Sequence, residues 1–158
     1  MSLLRVFFAV VCVLSSAVIA QGSGIYTKAE VLEAINQVEA SGLKENVPPG
    51  DGGRALGPLQ IHWAYWKDSW DHDQNCPHGV NHGAFPGEYI GVELWDYACK
   101  VFDAYMCRYA GYNVWTDTMD IDDVEIVAKI HNGGPNGPAR DSTEPYWQLV
   151  KAQLPNKD

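Results

Sequence analysis

Apolar residues recur along most of the chain at the three-and-four spacing of helices that face a core. Val31, Ile35 and Val38 make the first such stripe. It opens at Thr27 with Glu30 three places on, the pattern of a capping box, and Gly42 stops it. The run Pro48-Pro49-Gly50-Asp51-Gly52-Gly53 cannot be helical, so a turn leading into a small β-hairpin is expected between Asp51 and Ile61. Gln60 to Asp68, dense in aromatic side chains, predicts a short helix. From Glu88 to Tyr109 the apolar spacing predicts the longest, central helix, with Gly111 just past its end. Asp122 and Asp123 place negative charge where the next helix begins, which the helix dipole favours, and Val124, Val127, Ala128 and Ile130 give its buried face. That helix runs to His131-Asn132, and Gly133-Gly134 end it. Thr143 to Leu154 reads as a last amphipathic helix carrying Tyr146 and Trp147. Together these elements predict a mainly α (α+β) domain with one small hairpin lobe.

The first twenty residues break this pattern. Arg5 precedes an unbroken apolar run from Val6 to Val13, and the stretch closes on Val18-Ile19-Ala20. This is the layout of a secretory signal cleaved before Gln21, and the run is short and wrongly flanked for a membrane span; a retained anchor is the alternative. The expected organisation is a signal peptide at 1–20 and one domain at 21–158. The chain carries a net charge of −9, and losing Arg5 makes it more acidic still. Nucleic acids and anionic membranes call for basic patches, so neither is expected as a partner.

In an oxidising compartment Cys76, Cys99 and Cys107 allow one bridge and leave one thiol over. Cys99 and Cys107 fall on one helical pattern about 12 Å apart, too far to join, which favours Cys76 with Cys99 and keeps Cys76 with Cys107 open. Asp71, His72, Asp73, Cys76, His78 and His82 are ligand types for zinc, yet their spacing fits no zinc signature. A polar surface loop is the expectation there, and no metal or cofactor is expected.

The candidate chemistry lies around the first turn. Glu39 ends the first helical stripe and Asp51 follows after a chain reversal, so two carboxylic acids can face each other across one cleft. Cleaving a glycosidic bond needs such a pair: one acid protonates the leaving oxygen and the other supports the oxocarbenium-like centre. Glu39 beside a buried face should have a raised pKa, as a general acid working near neutrality requires. On local grounds alone Asp51 is better explained as a turn-former. Gln60, His62 and Tyr65 could meet sugar hydroxyls and ring faces from the aromatic segment, while for each of Trp63, Tyr65 and Trp66 a place in the core is the better-supported alternative.

Several motifs place these acids in a wider pattern. Glu39 is followed by Ser41-Gly42, Asp51 sits among glycines, and Gly57-Pro58-Leu59-Gln60-Ile61 comes next. Tyr65-Trp66-Lys67-Asp68, Tyr105-Met106-Cys107-Arg108-Tyr109, the run HNGGPNG from His131 to Gly137, and Tyr146-Trp147 follow in order. In this order the chain resembles the invertebrate-type (destabilase) lysozymes over nearly all of residues 21–158, with HNGGPNG the most specific element. The resemblance implies a lysozyme-like fold and a secreted hydrolase of β-1,4-glycosidic bonds in peptidoglycan, with chitin oligomers as a further substrate. It also implies Glu39 as general acid/base, Asp51 as nucleophile, and Gln60, His62, Tyr65, His131 and Asn132 as substrate contacts. The chain departs from the family in being poor in cysteine. It also has Gly52, Gly53, Arg54 and Ala55 in place of a serine-containing run, and His62 in place of a lysine. That argues against the isopeptidase activity proposed within the destabilase group. A single-glutamate muramidase or lytic transglycosylase, and a non-catalytic glycan binder, are the remaining alternatives.

Overall fold

The computed structural model describes residues 24–73 and 88–157. Within them the chain is mainly helical with two small antiparallel sheets, the α+β class expected from the sequence. Helix α1 spans Lys28–Ala40, and its capping box is complete: the Thr27 hydroxyl accepts from the Glu30 backbone while the Glu30 carboxylate accepts from the Thr27 backbone. It ends through Ser41, whose φ of 51° is left-handed. Strands β2 (Ala55–Leu56) and β3 (Ile61–His62) form the expected hairpin, only two residues long on each side, pairing Ala55 with His62 and Leu56 with Ile61. Helix α2 follows at once as Trp63–Asp73, so the predicted helix starts three residues late because Ile61 and His62 are drawn into the hairpin.

A second correction concerns the central helix. Helix α3 spans Trp95–Tyr109 and is the longest of the described helices, but Tyr89–Glu93 forms a separate 3-10 turn and Leu94 between them is extended. The break lets the turn dock on the hairpin. The Tyr89 hydroxyl reaches the carbonyls of Arg54 (2.8 Å) and Ile61 (2.6 Å), and the Val92 carbonyl packs where a side chain on Gly57 would stand. Tertiary contacts thus override a local apolar rhythm that by itself reads as one helix.

Strand β4 (Thr118–Met119) returns to pair with β1 (Tyr26–Thr27), a sheet with no counterpart in the sequence pattern. Helix α4 spans Ile121–Gly133. Its cap is Asp120, whose side chain accepts from the backbones of Asp122 and Asp123. Helix α5 is shorter than expected, Glu144–Lys151.

The core lies between α1, α3, α4 and α5. Val31, Ile35, Val101, Phe102, Met106, Val124, Val127, Trp147 and Val150 are all buried there, and each large apolar side chain so buried contributes roughly 2 kcal/mol. This packing fixes the C-terminal ends of α1 and α4 next to the hairpin, which is the arrangement the candidate site needs. Cys99 and Cys107 form no disulfide with each other. Cys76, His78 and His82, and with them the expected bridge, lie outside the described residues, as does the signal segment; Asp71, His72 and Asp73, expected in a surface loop, form the last turn of α2 instead.

Candidate active site

One cavity of about 200 Å³ gathers Glu39, Asp51, Ala55, Gln60, His62, His131 and Asn132. Three elements supply it. The last turn of α1 brings Glu39, the hairpin and the turn before it bring Asp51, Ala55, Gln60 and His62, and the end of α4 brings His131 and Asn132. The run after α4 holds that end in place. Gly137 packs so closely on the Lys129 carbonyl that a Cβ would stand 1.8 Å from its oxygen, so this approach admits only glycine.

Glu39 is largely buried, with a fifth of its side chain exposed, and the His131 Nε2 lies 3.5 Å from its Oε1. His131 is held from behind by aromatic rings: Phe102 and Tyr65 pack on it at centroid distances of 5.1 and 5.5 Å, and its Nδ1 lies 3.5 Å from the Tyr65 hydroxyl. Tyr65 is itself buried and stacked on Tyr105. It therefore stands behind the cavity rather than among its lining residues, because α2 turns its face inward onto α3. The buried Tyr146 hydroxyl makes no hydrogen bond of good geometry, yet it is near enough to Glu39 to influence it.

These neighbours reverse the expected sign of the Glu39 pKa. Burial is the largest single influence and pushes it up. The hydrogen bond and charge of His131, the Tyr146 hydroxyl and the charge of His62 pull it down, and together they outweigh burial, so the carboxyl sits below its ordinary value. The sequence could show that Glu39 would be shielded. It could not show that imidazoles and a phenol would fill the shield.

Asp51 is half exposed at the other wall. It has a left-handed φ of 46°, its Oδ1 accepts from the Arg54 guanidinium at 2.8 Å, and its Oδ2 lies 3.6 Å from His62 Nε2. Gln60 is left-handed too, and its amide nitrogen donates to the carbonyls of Gly57 (2.9 Å) and Pro48 (3.4 Å). Its nitrogen thus braces the hairpin, leaving the amide oxygen as its free polar atom. His62 and Asn132 are exposed and open to a ligand. Arg54 and Tyr146 were not among the residues singled out for the site. Arg54 carried no periodic signal, and Tyr146 reads as part of an amphipathic face until α5 is docked beside α1.

In chemical terms the cavity offers one shielded carboxyl, one half-exposed carboxylate, two imidazoles and two amides. Among the described residues no group of three or more His, Cys, Asp or Glu side chains could hold a metal ion.

Comparison with known proteins gives the same direction. The chain is 31% identical over 99 residues to "Lysozyme 1" of Crassostrea virginica, covering 61% of this chain and 50% of that protein. It is likewise 31% identical over 112 residues to "Lysozyme" of Ostrea edulis, covering 64% of this chain and 63% of that one. Both of these relatives are named lysozymes. The resemblance to the invertebrate-type lysozymes read from the motifs is borne out. The chain spans half to just under two thirds of the length of these relatives. No family model and no solved structure matches it. Among the described residues no helix is long and apolar enough to cross a membrane.

Proposed function

We propose that this protein is a secreted lysozyme that hydrolyses β-1,4-glycosidic bonds of peptidoglycan, after removal of residues 1–20. The observation that carries the reading is the convergence of Glu39 and Asp51 on one small cavity, one shielded and one exposed, in a chain whose curated relatives are lysozymes. Two carboxyl groups in unlike surroundings are what acid and nucleophile roles demand.

In this reading Glu39 acts in its protonated form, which its lowered pKa confines to acidic pH, and passes its proton to the glycosidic oxygen as the bond from that oxygen to the anomeric carbon breaks. An Asp51 oxygen forms an ester bond to the same carbon from the opposite face. Water then attacks that carbon and gives a proton to Glu39. The ester bond breaks, Asp51 is released as carboxylate, and the configuration is retained. His131 and the Tyr146 hydroxyl stabilise Glu39 while it is ionised between the two steps. His62, Asn132 and the Gln60 oxygen are placed to meet sugar hydroxyls. No cofactor enters the scheme.

The test is the clearing of bacterial walls, with product analysis, by wild type, Glu39→Gln and Asp51→Asn. Glu39→Gln should lower turnover by about 100-fold or more, the usual scale for a lost general acid. Undiminished clearing by that variant would reject the assignment. A single-glutamate scheme draws support from one feature, the exposed Asp51 carboxylate already paired with Arg54. Near wild-type turnover by Asp51→Asn would establish that scheme. Azide rescue of Asp51→Gly, giving the inverted glycosyl azide, would establish Asp51 as nucleophile.

A further inference from the structure

The turn that carries Asp51 lacks the packing that usually fixes a catalytic side chain. Asp51, Gly52 and Gly53 are three successive left-handed residues, with φ of 46°, 64° and 91°. At Gly52 and Gly53 no atom beyond the adjoining residues lies within 4 Å of where a Cβ would stand, so the Cβ sides of both face open space. A residue with a side chain resists the left-handed region, and the half-exposed Asp51 carboxylate would gain solvation by swinging outward.

One side chain opposes both tendencies. Arg54 Nε donates to the Asp51 carbonyl at 3.0 Å and its Nη2 donates to Asp51 Oδ1 at 2.8 Å, so a single planar fork grips the backbone and the carboxylate of the same residue. Arg54 is anchored in turn. Its backbone N–H donates to the Gly50 carbonyl at 3.1 Å, and its carbonyl accepts from the Tyr89 hydroxyl at 2.8 Å. A chain of contacts therefore runs from the 3-10 turn before α3, through Arg54, to the carboxylate at the cavity wall. The other polar neighbour of that carboxylate, His62, stands 3.6 Å away.

We propose that Arg54 is a positioning residue that fixes the Asp51 turn and aims its carboxylate into the cavity. The proposal rests on the reading of Asp51 as a participant in glycoside cleavage. The pair leaves Oδ2 as the oxygen free to meet an anomeric carbon. The fork also withdraws charge from the carboxylate, which makes it a better leaving group when the glycosyl ester is hydrolysed. Arg54 itself touches no reacting atom in this scheme. Lysine at this place would supply the charge without the two-pronged grip.

The test compares wild type with Arg54→Gln, Arg54→Lys and Arg54→Ala on a soluble wall oligosaccharide, reading kcat and KM separately. The expected result is a fall in kcat of roughly 10- to 100-fold for Gln and Ala, the scale of a misplaced reacting group, with KM little changed and Lys intermediate. Because the pair is exposed, the melting temperature should stay within about 2 °C of wild type, which separates positioning from stability. Methylguanidinium added to Arg54→Ala should restore part of kcat, which a merely structural role would not allow. Wild-type kcat in Arg54→Gln, a change confined to KM, or no rescue by methylguanidinium would each overturn the proposal. An independent readout needs no turnover: the Asp51 amide and carboxyl-carbon NMR signals should shift in Arg54→Ala and move back on adding methylguanidinium. Unmoved Asp51 signals overturn the proposal even if the wall is not cleaved, while an inactive wild type with mobile Asp51 signals rejects only the lysozyme reading.

Discussion

At the residue scale, Glu39 shows how a correct placement can come with the wrong sign. Its position on the last turn of α1, beside the buried face, could be read from the spacing of Val31, Ile35 and Val38, and burial alone would raise its pKa. The groups that outweigh burial come from distant parts of the chain: His131 from α4, Tyr146 from α5, and His62 from the hairpin. Removing one of them must therefore raise the Glu39 pKa. A general acid with a higher pKa keeps its proton to higher pH, so the alkaline limb of the pH–rate profile should move upward in Tyr146→Phe. The shift should be larger in His131→Gln, because both the hydrogen bond and the charge of His131 rank above the Tyr146 contribution. An alkaline limb that stays in place in both variants would show that Glu39 does not set it. Tyr146→Phe is the cleaner probe, since it removes one oxygen from a buried ring and leaves the packing of α5 intact.

At the element scale, the features legible in the sequence are those whose causes are local. The capping box of α1, the acidic start of α4 and the glycine-rich stops after α1, α3 and α4 all follow from residues within one turn of the boundary. The features that were not legible depend on contacts distant in sequence. The β1–β4 pairing joins two-residue strands far apart in the sequence, Tyr26–Thr27 and Thr118–Met119, too short for any alternation to register. The break at Leu94 exists because Tyr89 and Val92 meet the hairpin. This difference can be measured on α4, whose start is capped locally and whose end, though stopped by its own glycines, is held in place by the contact of Gly137 on Lys129. Asp120→Ala removes the cap that accepts from Asp122 and Asp123 and should cost about 1 kcal/mol of unfolding free energy with little effect on turnover. Gly137→Ala drives a methyl into the Lys129 carbonyl and should cost more, roughly 1–3 kcal/mol, with loss of activity because it displaces the end that carries His131 and Asn132. Chemical denaturation and wall clearing on the two variants check the pair. Equal effects on stability and activity in both would mean that the end of α4 is not tied to the site in this way.

At the scale of the whole molecule, class and site grouping were legible because a continuous apolar set must form one core and because the first turn and the end of α4 were both marked by glycines and polar side chains. The charge was legible too, and it has a consequence for the proposed substrate. A chain of net charge −9 approaching a polyanionic wall is repelled over about one Debye length, roughly 30 Å at 0.01 M salt and roughly 8 Å at physiological ionic strength. Arg54, beside the cavity, is already paired with Asp51 and offers little attraction to offset this. Adding salt should therefore speed the clearing of bacterial walls from the low-salt value, the reverse of what a basic enzyme drawn to its polymer by charge would show. Cleavage of a neutral chitin oligomer should be indifferent to the same change, because no long-range repulsion exists to screen. Initial rates on both substrates between 0.01 M and 0.15 M salt test this directly, 0.15 M being about physiological. If wall clearing falls with salt while the neutral oligomer is unaffected, local attraction outweighs the repulsion of the acidic net charge, and that charge then says nothing about how the protein meets its polymer.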